Sequence, residues 1–123
     1  MKKLLIIEDD SFVQEMFSKE MDKYTDVLVL TATTIEKGEK ISLEELPDII
    51  LLDLVLPDGS GMDLLRKLKS NTKTKKIKTM VMTNIDDKES MEEVLRLGVE
   101  DYFVKTSESF MSITKMLKRY LSL

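Results

Sequence analysis

The 123-residue chain contains no cysteine and no histidine. The absence of cysteine excludes disulfide scaffolds, thiol nucleophiles and cysteine metal sites. The absence of histidine excludes serine–histidine triads, histidine-ligated zinc and phosphohistidine carriers. Proline and glycine are also scarce, at two and four residues, and no segment has the composition of a flexible linker. Any chemistry must therefore use Asp, Glu, Lys, Ser, Thr, Tyr or the backbone.

Long hydrophobic runs and an excess of positive charge are missing as well. The apolar run after Lys3 ends after four residues, too short for a signal peptide or for a membrane span of about 20 residues. Nineteen basic against 23 acidic residues give a net charge of −4, so no global basic field favours nucleic acid. We therefore expect one domain over residues 1–123, located in the cytoplasm, with no membrane and no direct nucleic-acid partner.

Five short, continuous apolar runs alternate with segments of helical apolar spacing. The runs are residues 4–7, 27–30, 49–52, 80–82 and 102–104. Continuous runs are typical of strands that helices cover on both faces. The helix predicted within residues 34–43 is the weakest of the five, because Gly38 interrupts it. Five βα units predict an α/β fold with a doubly wound, five-stranded parallel sheet and five helices.

Helix boundaries are predicted from capping residues. Pairs with capping-box spacing, and single Asp or Ser residues before an apolar stripe, are the usual start signals. The predicted N-terminal caps are Ser11 (with Gln14), Thr33 (with Glu36), Asp86 or Asp87, and Ser107. Gly98 is predicted to stop the fourth helix.

Polar side chains follow four of the five predicted strands. They are Glu8, Asp9 and Asp10 after the first strand, Asp53 after the third, Thr83 after the fourth and Lys105 after the fifth. Doubly wound sheets bind ligands at the carboxyl ends of their strands. The second strand is followed only by Thr-Ala-Thr, which fits an edge strand remote from the site.

If the first and third strands are neighbours, Glu8, Asp9 and Asp53 converge. Two carboxylates about 4 Å apart repel by roughly 4 kcal/mol at an effective dielectric constant of 20. Proton uptake with raised pKa values, or a bound divalent cation, relieves that repulsion. Oxygen ligands alone favour Mg²⁺, with Mn²⁺ also suitable. Together with Lys105 and Thr83, these carboxylates suit the transfer of a phosphoryl group onto a carboxylate.

Four motifs, in order and at the expected strand ends, resemble the receiver domain of two-component response regulators, including single-domain chemotaxis-type regulators. The motifs are LIIEDD (5–10), DLVLPDGSG (53–61), MT (82–83) and YFVK (102–105). The resemblance covers the whole chain and implies the flavodoxin-like strand order 2-1-3-4-5. Taken singly, each motif also has a plain structural interpretation: acids at a helix start, an Asp in a turn, an aromatic residue in the core.

The resemblance implies roles for seven residues. Asp53 is expected to be the phosphoacceptor, and Lys105 to pair with the phosphoryl oxygens. The expected Mg²⁺ ligands are Asp9, Asp53, Glu8 (directly or through water) and the backbone carbonyl of Val55. Thr83 is expected to move its hydroxyl to the phosphoryl group, and Tyr102 to change rotamer with it.

The resemblance also implies partners. The expected donor is a sensor histidine kinase or a histidine phosphotransferase, and the output surface is the fourth helix, fifth strand and fifth helix, which would act on an unidentified protein or fused domain. A receiver excised from a longer regulator or hybrid kinase is an open alternative. Two departures from the family pattern are Thr106 where proline often follows the lysine, and Asn84 where Ala or Gly often follows the threonine. They leave the loop geometry and the lifetime of the phosphoryl group open.

Two other function classes compete. A haloacid-dehalogenase-type Mg²⁺ phosphatase would carry a second Asp at the position of Val55. A flavin- or nucleotide-binding module would carry a glycine-rich loop after the first strand, where acids stand instead. The basic segment 66–80 and the acidic segment 86–101 are interpreted as solvated surface, whose contrast in sign could steer a partner.

Overall fold

The computed structural model describes residues 1–123. Five parallel strands form one sheet: β1 (Lys2–Ile7), β2 (Val27–Ala32), β3 (Ile49–Leu52), β4 (Lys78–Thr83) and β5 (Asp101–Val104). Their order across the sheet is β2-β1-β3-β4-β5. The predicted 2-1-3-4-5 order is therefore confirmed.

Five helices cover the two faces of the sheet: α1 (Ser11–Met21), α2 (Ile35–Glu45), α3 (Gly61–Ser70), α4 (Lys88–Arg96) and α5 (Phe110–Tyr120). One core layer joins the sheet to α1 and α5 through residues such as Phe17 and Leu117. The other joins it to α2, α3 and α4 through residues such as Leu64 and Val94. None of the helices combines the length and the apolar character that a membrane crossing needs.

The central strands explain the continuous apolar runs. Residues 4–7 of β1 and 49–52 of β3 have no exposed surface, because helices cover both faces. The edge strands β2 and β5 are only partly buried. The predicted edge position of β2 is thus confirmed.

Three predicted N-terminal caps are wrong by one or two residues. Asp10, not Ser11, caps α1 by accepting hydrogen bonds from the N–H groups of Phe12 (3.0 Å) and Val13 (3.3 Å). A carboxylate at this position also interacts favourably with the helix dipole. Gln14, the predicted capping-box partner, instead donates to the backbone carbonyls of Glu8 and Ala32. It thereby ties the start of α1 to the ends of β1 and β2.

The caps of α2 and α5 also shift along the chain. Thr34, not Thr33, caps α2, because Thr34 has the extended backbone of a cap and accepts from the N–H of Lys37. Ser109, not Ser107, caps α5, because the N–H groups of Ser107 and Glu108 first close a turn on the carbonyl of Val104. Of the two residues predicted as alternative caps for α4, Asp86 and Asp87, the structure has Asp87 as the cap.

Two glycines have structural roles: one allows a helix to pack closely on a strand, and the other ends a helix. Gly38 lies in the middle of α2, and a Cβ there would come within 2.7 Å of Cδ1 of Ile7. The glycine that weakens the helix prediction therefore lets α2 pack closely on β1. Gly98 follows α4 with φ +87°, the left-handed conformation that ends helices, so this predicted stop is confirmed.

Candidate phosphoacceptor site

Adjacent strands bring the predicted site residues together. Ile7 pairs with Leu52 at the ends of β1 and β3, so Glu8 and Asp53 follow side by side. The N–H of Asp53 donates to the carbonyl of Ile7 (3.0 Å). On the other side, the N–H of Lys105 donates to the carbonyl of Thr83 (2.8 Å), which fixes the backbone from which the lysine reaches inward.

Lys105 bridges two buried carboxylates. Its Nζ donates to Oε1 of Glu8 (2.7 Å) and to Oδ2 of Asp53 (2.8 Å). Glu8 is fully buried and Asp53 is 4% exposed, so water screens these pairs far less than it screens surface ion pairs. The bond between Lys105 and Thr106 is trans, and the ammonium still reaches both carboxyl groups.

The segment after Asp53 folds tightly back against it. The N–H of Val55 donates to Oδ1 of Asp53 (3.1 Å), and the N–H of Gly61 donates to the carbonyl of Leu54 (2.7 Å). A Cβ on Gly61 would lie 2.4 Å from the backbone oxygen of Asp53. Only glycine therefore permits the start of α3 to approach the backbone of Asp53 this closely.

The three charged side chains shift one another's pKa values. Burial, reinforced by the neighbouring carboxyl of Asp53 and opposed by Lys105, raises the pKa of Glu8 to about 8. Burial alone would raise the pKa of Asp53, but Glu8, Lys105 and the N–H of Val55 together hold it below its usual value. Burial would lower the pKa of Lys105, yet the two carboxylates raise it. The two carboxyl groups therefore titrate as a coupled pair beside Lys105, with Glu8 the more basic member and Asp53 the more acidic one.

The carboxylates also fit a divalent cation. Ligand oxygens of Glu8, Asp9 and Asp53 all lie within 4.8 Å of one another. Oε2 of Glu8 is buried and has no hydrogen-bond partner, which is costly for a polar atom in either protonation state of the carboxyl group. Asp9 is exposed and opens the cluster to solvent. A cation coordinated by oxygen would satisfy the free oxygen and offset the carboxylate repulsion.

Val55 and Asn84 line the same depression as the acidic residues and Lys105. Val55, whose carbonyl is expected to be a ligand, thus borders the acidic cluster. Asn84, which follows Thr83, borders the same depression. Asp10 also borders the depression, but its carboxylate is engaged in capping α1.

Thr83 and Tyr102 are not joined to the carboxylates by hydrogen bonds. Thr83 is fully buried, and its Oγ1 accepts a long hydrogen bond from the N–H of Ile85 (3.4 Å). The hydroxyl of Tyr102 donates to the carbonyl of Ile85 (2.6 Å). Sequence reasoning missed Ile85, since its contribution is made by backbone groups that any residue could provide.

Comparison with known proteins places the chain in a family. Residues 4–118 match the model of the response regulator receiver domain. The probable C4-dicarboxylate response regulator DctR of Halalkalibacterium halodurans is 33% identical over 106 residues, which are 84% of this chain and 44% of that protein. The phosphate regulon transcriptional regulatory protein PhoB of Pseudomonas aeruginosa is 31% identical over 85% of this chain and 45% of its own length. The chain therefore spans about half the length of the curated relatives it matches.

Solved structures share the whole fold. The non-phosphorylated HemR receiver domain from Leptospira biflexa superposes with a TM-score of 0.88, at 25% identity, over 100% of this chain and 96% of that one. The phosphorylated cyanobacterial phytochrome response regulator RcpA gives a TM-score of 0.87 at 24% identity, over 98% and 94%. The chain belongs to the family of response regulator receiver domains, which are signalling domains of two-component systems.

Proposed function

We propose that residues 1–123 form a phospho-accepting switch in which Asp53 takes a phosphoryl group from a sensor histidine kinase or histidine phosphotransferase. The observation that carries the proposal is the geometry around Asp53. Its carboxyl group accepts hydrogen bonds from Nζ of Lys105 (2.8 Å) and from the N–H of Val55 (3.1 Å) at the carboxyl end of a central strand, and both donors lower its pKa. A carboxylate so fixed is a nucleophile that needs no general base.

The proposed transfer is a displacement at phosphorus. A carboxylate oxygen of Asp53 forms the new P–O bond, while the P–N bond to the donor's imidazole breaks and its electron pair returns to the ring nitrogen. The ammonium of Lys105 stays beside the new phosphoryl oxygens and offsets their charge. Mg²⁺, or Mn²⁺ in its place, would be held by Glu8, Asp9, Asp53 and the carbonyl of Val55, and would neutralise negative charge on the transferring group.

The switch would use the backbone N–H and carbonyl of Ile85. Its N–H contacts Thr83 and its carbonyl accepts from Tyr102, and α4 begins three residues later at Lys88. If the hydroxyl of Thr83 turns to the phosphoryl group, it leaves the N–H of Ile85 and weakens the anchor of Tyr102. The populations of two arrangements of α4, β5 and α5 would then shift.

The output partner has two candidate forms. Because the curated relatives are about twice as long as the matched segment, a domain fused to this receiver in a longer regulator or hybrid kinase is one. A separate protein that docks on the same surface is the other. Cytoplasmic location and the absence of direct nucleic-acid contact stay predictions.

Intact-mass measurement after incubation with acetyl phosphate tests the proposal. We expect one phosphoryl adduct that depends on Mg²⁺, that is absent from Asp53→Asn, and that persists in Asp63→Asn, which alters an exposed carboxylate on α3. If hydrolysis is too fast for mass detection, binding of beryllofluoride by the wild type provides the same comparison. Failure of both in folded protein, or an equal adduct on Asp53→Asn, would contradict the proposal.

A further inference from the structure

Asp58 ties the segment after the phosphoacceptor to a helix that precedes it in the chain. Its two carboxylate oxygens accept hydrogen bonds from the first N–H groups of α2: Ile35 to Oδ1 (2.8 Å) and Glu36 to Oδ2 (3.2 Å). These N–H groups have no partner within the helix. Thr34 already supplies the local cap, through Lys37 (3.2 Å). The start of α2 thus has a second cap, contributed by a residue 22 positions further along the chain.

Asp58 lies at the tip of a short hairpin. Val55–Leu56 pairs antiparallel with Gly59–Ser60, and Pro57 and Asp58 form the turn. Strands of two residues are too short to be stable by themselves. Two hydrogen bonds fix the base of this hairpin: the N–H of Val55 donates to Asp53, and the N–H of Gly61 donates to the carbonyl of Leu54. The hydrogen bonds that Asp58 accepts from α2 fix its tip.

The contact between tip and helix is close as well as polar. Gly59 has φ +148°, and a Cβ there would lie 3.1 Å from Cδ1 of Ile35. The N–H groups of Ile35 and Glu36 lower the pKa of Asp58, so the capping group is a carboxylate at neutral pH. A carboxylate is the side chain that a helix N-terminus holds best.

We propose that Asp58 is a positioning residue of the phosphoacceptor site. By fixing the hairpin to α2, it holds the Val55 backbone beside Asp53, both the N–H that orients Oδ1 and the carbonyl expected among the Mg²⁺ ligands. This inference rests on the proposed function. It assigns to Asp58 no contact with the phosphoryl group or the cation.

The test compares Asp58→Ala with Thr34→Ala. Both remove one cap from α2, but only the first releases the hairpin. We expect Asp58→Ala, which removes two hydrogen bonds and the tie to the hairpin, to lose more stability in urea unfolding than Thr34→Ala, which removes one hydrogen bond. Asp58→Ala should weaken Mg²⁺ binding in calorimetry and slow adduct formation from acetyl phosphate by about tenfold, the size typical of residues that support metal ligands. Thr34→Ala should stay within about twofold of the wild type, and Asp58→Asn should fall between, because an amide oxygen still accepts one of the two hydrogen bonds.

Two results would overturn the inference: equal Mg²⁺ affinity and rate in both alanine variants, or Asp58→Ala indistinguishable from the wild type. Failure of the proposed function has a different signature, namely a wild type that takes no phosphoryl group and no beryllofluoride. Mg²⁺ affinity would still decide the role of Asp58 in that case.

Discussion

At the scale of single residues, one partly buried ammonium pairs with two buried carboxyl groups. Burying ionised groups costs several kcal/mol each unless they are paired. Here Lys105 contacts Glu8 and Asp53 at hydrogen-bond distance, but one positive charge cannot balance two negative ones. The raised pKa of Glu8 relieves part of this imbalance, because it favours the protonated form of that carboxyl group.

The proton on Glu8 makes stability fall as pH rises. Its pKa is about 8 in the folded protein against 4.5 as an ordinary value. Between these two pH values the folded state holds a proton that the unfolded state lacks, so stability is greatest at the low end and is lost toward pH 8. Each pKa unit corresponds to about 1.4 kcal/mol. In urea unfolding with a chelator present, we expect Glu8→Gln to lose this pH slope. Its free energy of unfolding should exceed that of the wild type by the largest margin at pH 8.

Glu15→Gln is the matched control for that measurement, because Glu15 is an exposed carboxylate on the adjacent helix. It should retain the pH slope of the wild type. An unchanged slope in Glu8→Gln would contradict the assignment of the proton to Glu8.

At the scale of elements, two side-chain hydroxyls hold the loop between β4 and α4 by hydrogen bonds to the backbone of Ile85. Ile85 joins the hydroxyl of Thr83 at the end of β4 to the hydroxyl of Tyr102 in β5. A long hydrogen bond on one side and a short one on the other make Tyr102 the stronger anchor. The loop therefore depends on an edge strand for its position.

Removal of the Tyr102 hydroxyl should loosen this loop locally. Tyr102→Phe leaves the carbonyl of Ile85 without its donor, at a cost of about 1 kcal/mol. We expect faster amide hydrogen exchange in residues 83–88, measured by mass spectrometry. Tyr120→Phe is the control, since its hydroxyl donates to the side chain of Asp101 (2.7 Å) and makes no hydrogen bond to this loop. Equal exchange in residues 83–88 of both variants would count against an anchoring role for Tyr102.

Features that follow from apolar runs and from position at a strand end were predictable, and features that depend on the exact turn or on close packing were not. The central strands and the convergence of Glu8, Asp53 and Lys105 follow from apolar runs and the rule that ligands bind at strand ends. The caps of α1, α2 and α5 were misplaced, because several adjacent residues can accept the same hydrogen bonds and the local turn decides among them. The role of Gly38 became clear only once α2 lay on Ile7.

Likewise, the raised pKa of Glu8 could not be assigned from sequence. Strand-end spacing predicts carboxylates that repel one another, and raised pKa values are one of two ways to relieve that repulsion. Whether Glu8 or Asp53 has the raised pKa depends on burial and on the hydrogen bond from the N–H of Val55 to Asp53. Those are properties of the folded loop.

At the scale of the whole molecule, charge is separated between the two ends of the sheet. The carboxylates lie at the carboxyl ends of the strands, whereas Lys2, Lys73, Lys76 and Lys78 line a depression at the amino ends with Asp48. Acidic residues of segment 86–101 occur in and around α4. The predicted steering of a partner by this contrast is untested, and a strong fall in association rate with salt would support it.

A divalent cation should stabilise the whole domain, because the carboxylate cluster exists only in the folded state. A ligand at 100 times its dissociation constant adds about 2.7 kcal/mol. We expect Mg²⁺ to raise the melting temperature of the wild type, and Asp9→Asn to reduce that increase.

Asp10→Asn is the control for this measurement, because asparagine also caps helices and Asp10 lies outside the cluster of candidate ligands. It should keep most of the increase. No increase in the wild type, or an equal loss in both variants, would contradict the assigned ligands.

Lys105 gives the resting site a tethered competitor for any incoming cation. Its ammonium already contacts one oxygen of each buried carboxyl group, so a divalent ion shares these groups with a cation that is covalently part of the chain. The unpartnered Oε2 of Glu8 remains for the ion to bind. Because a proton on this carboxyl group competes with a metal ion, the occupancy of the site should depend on pH as well as on the metal concentration.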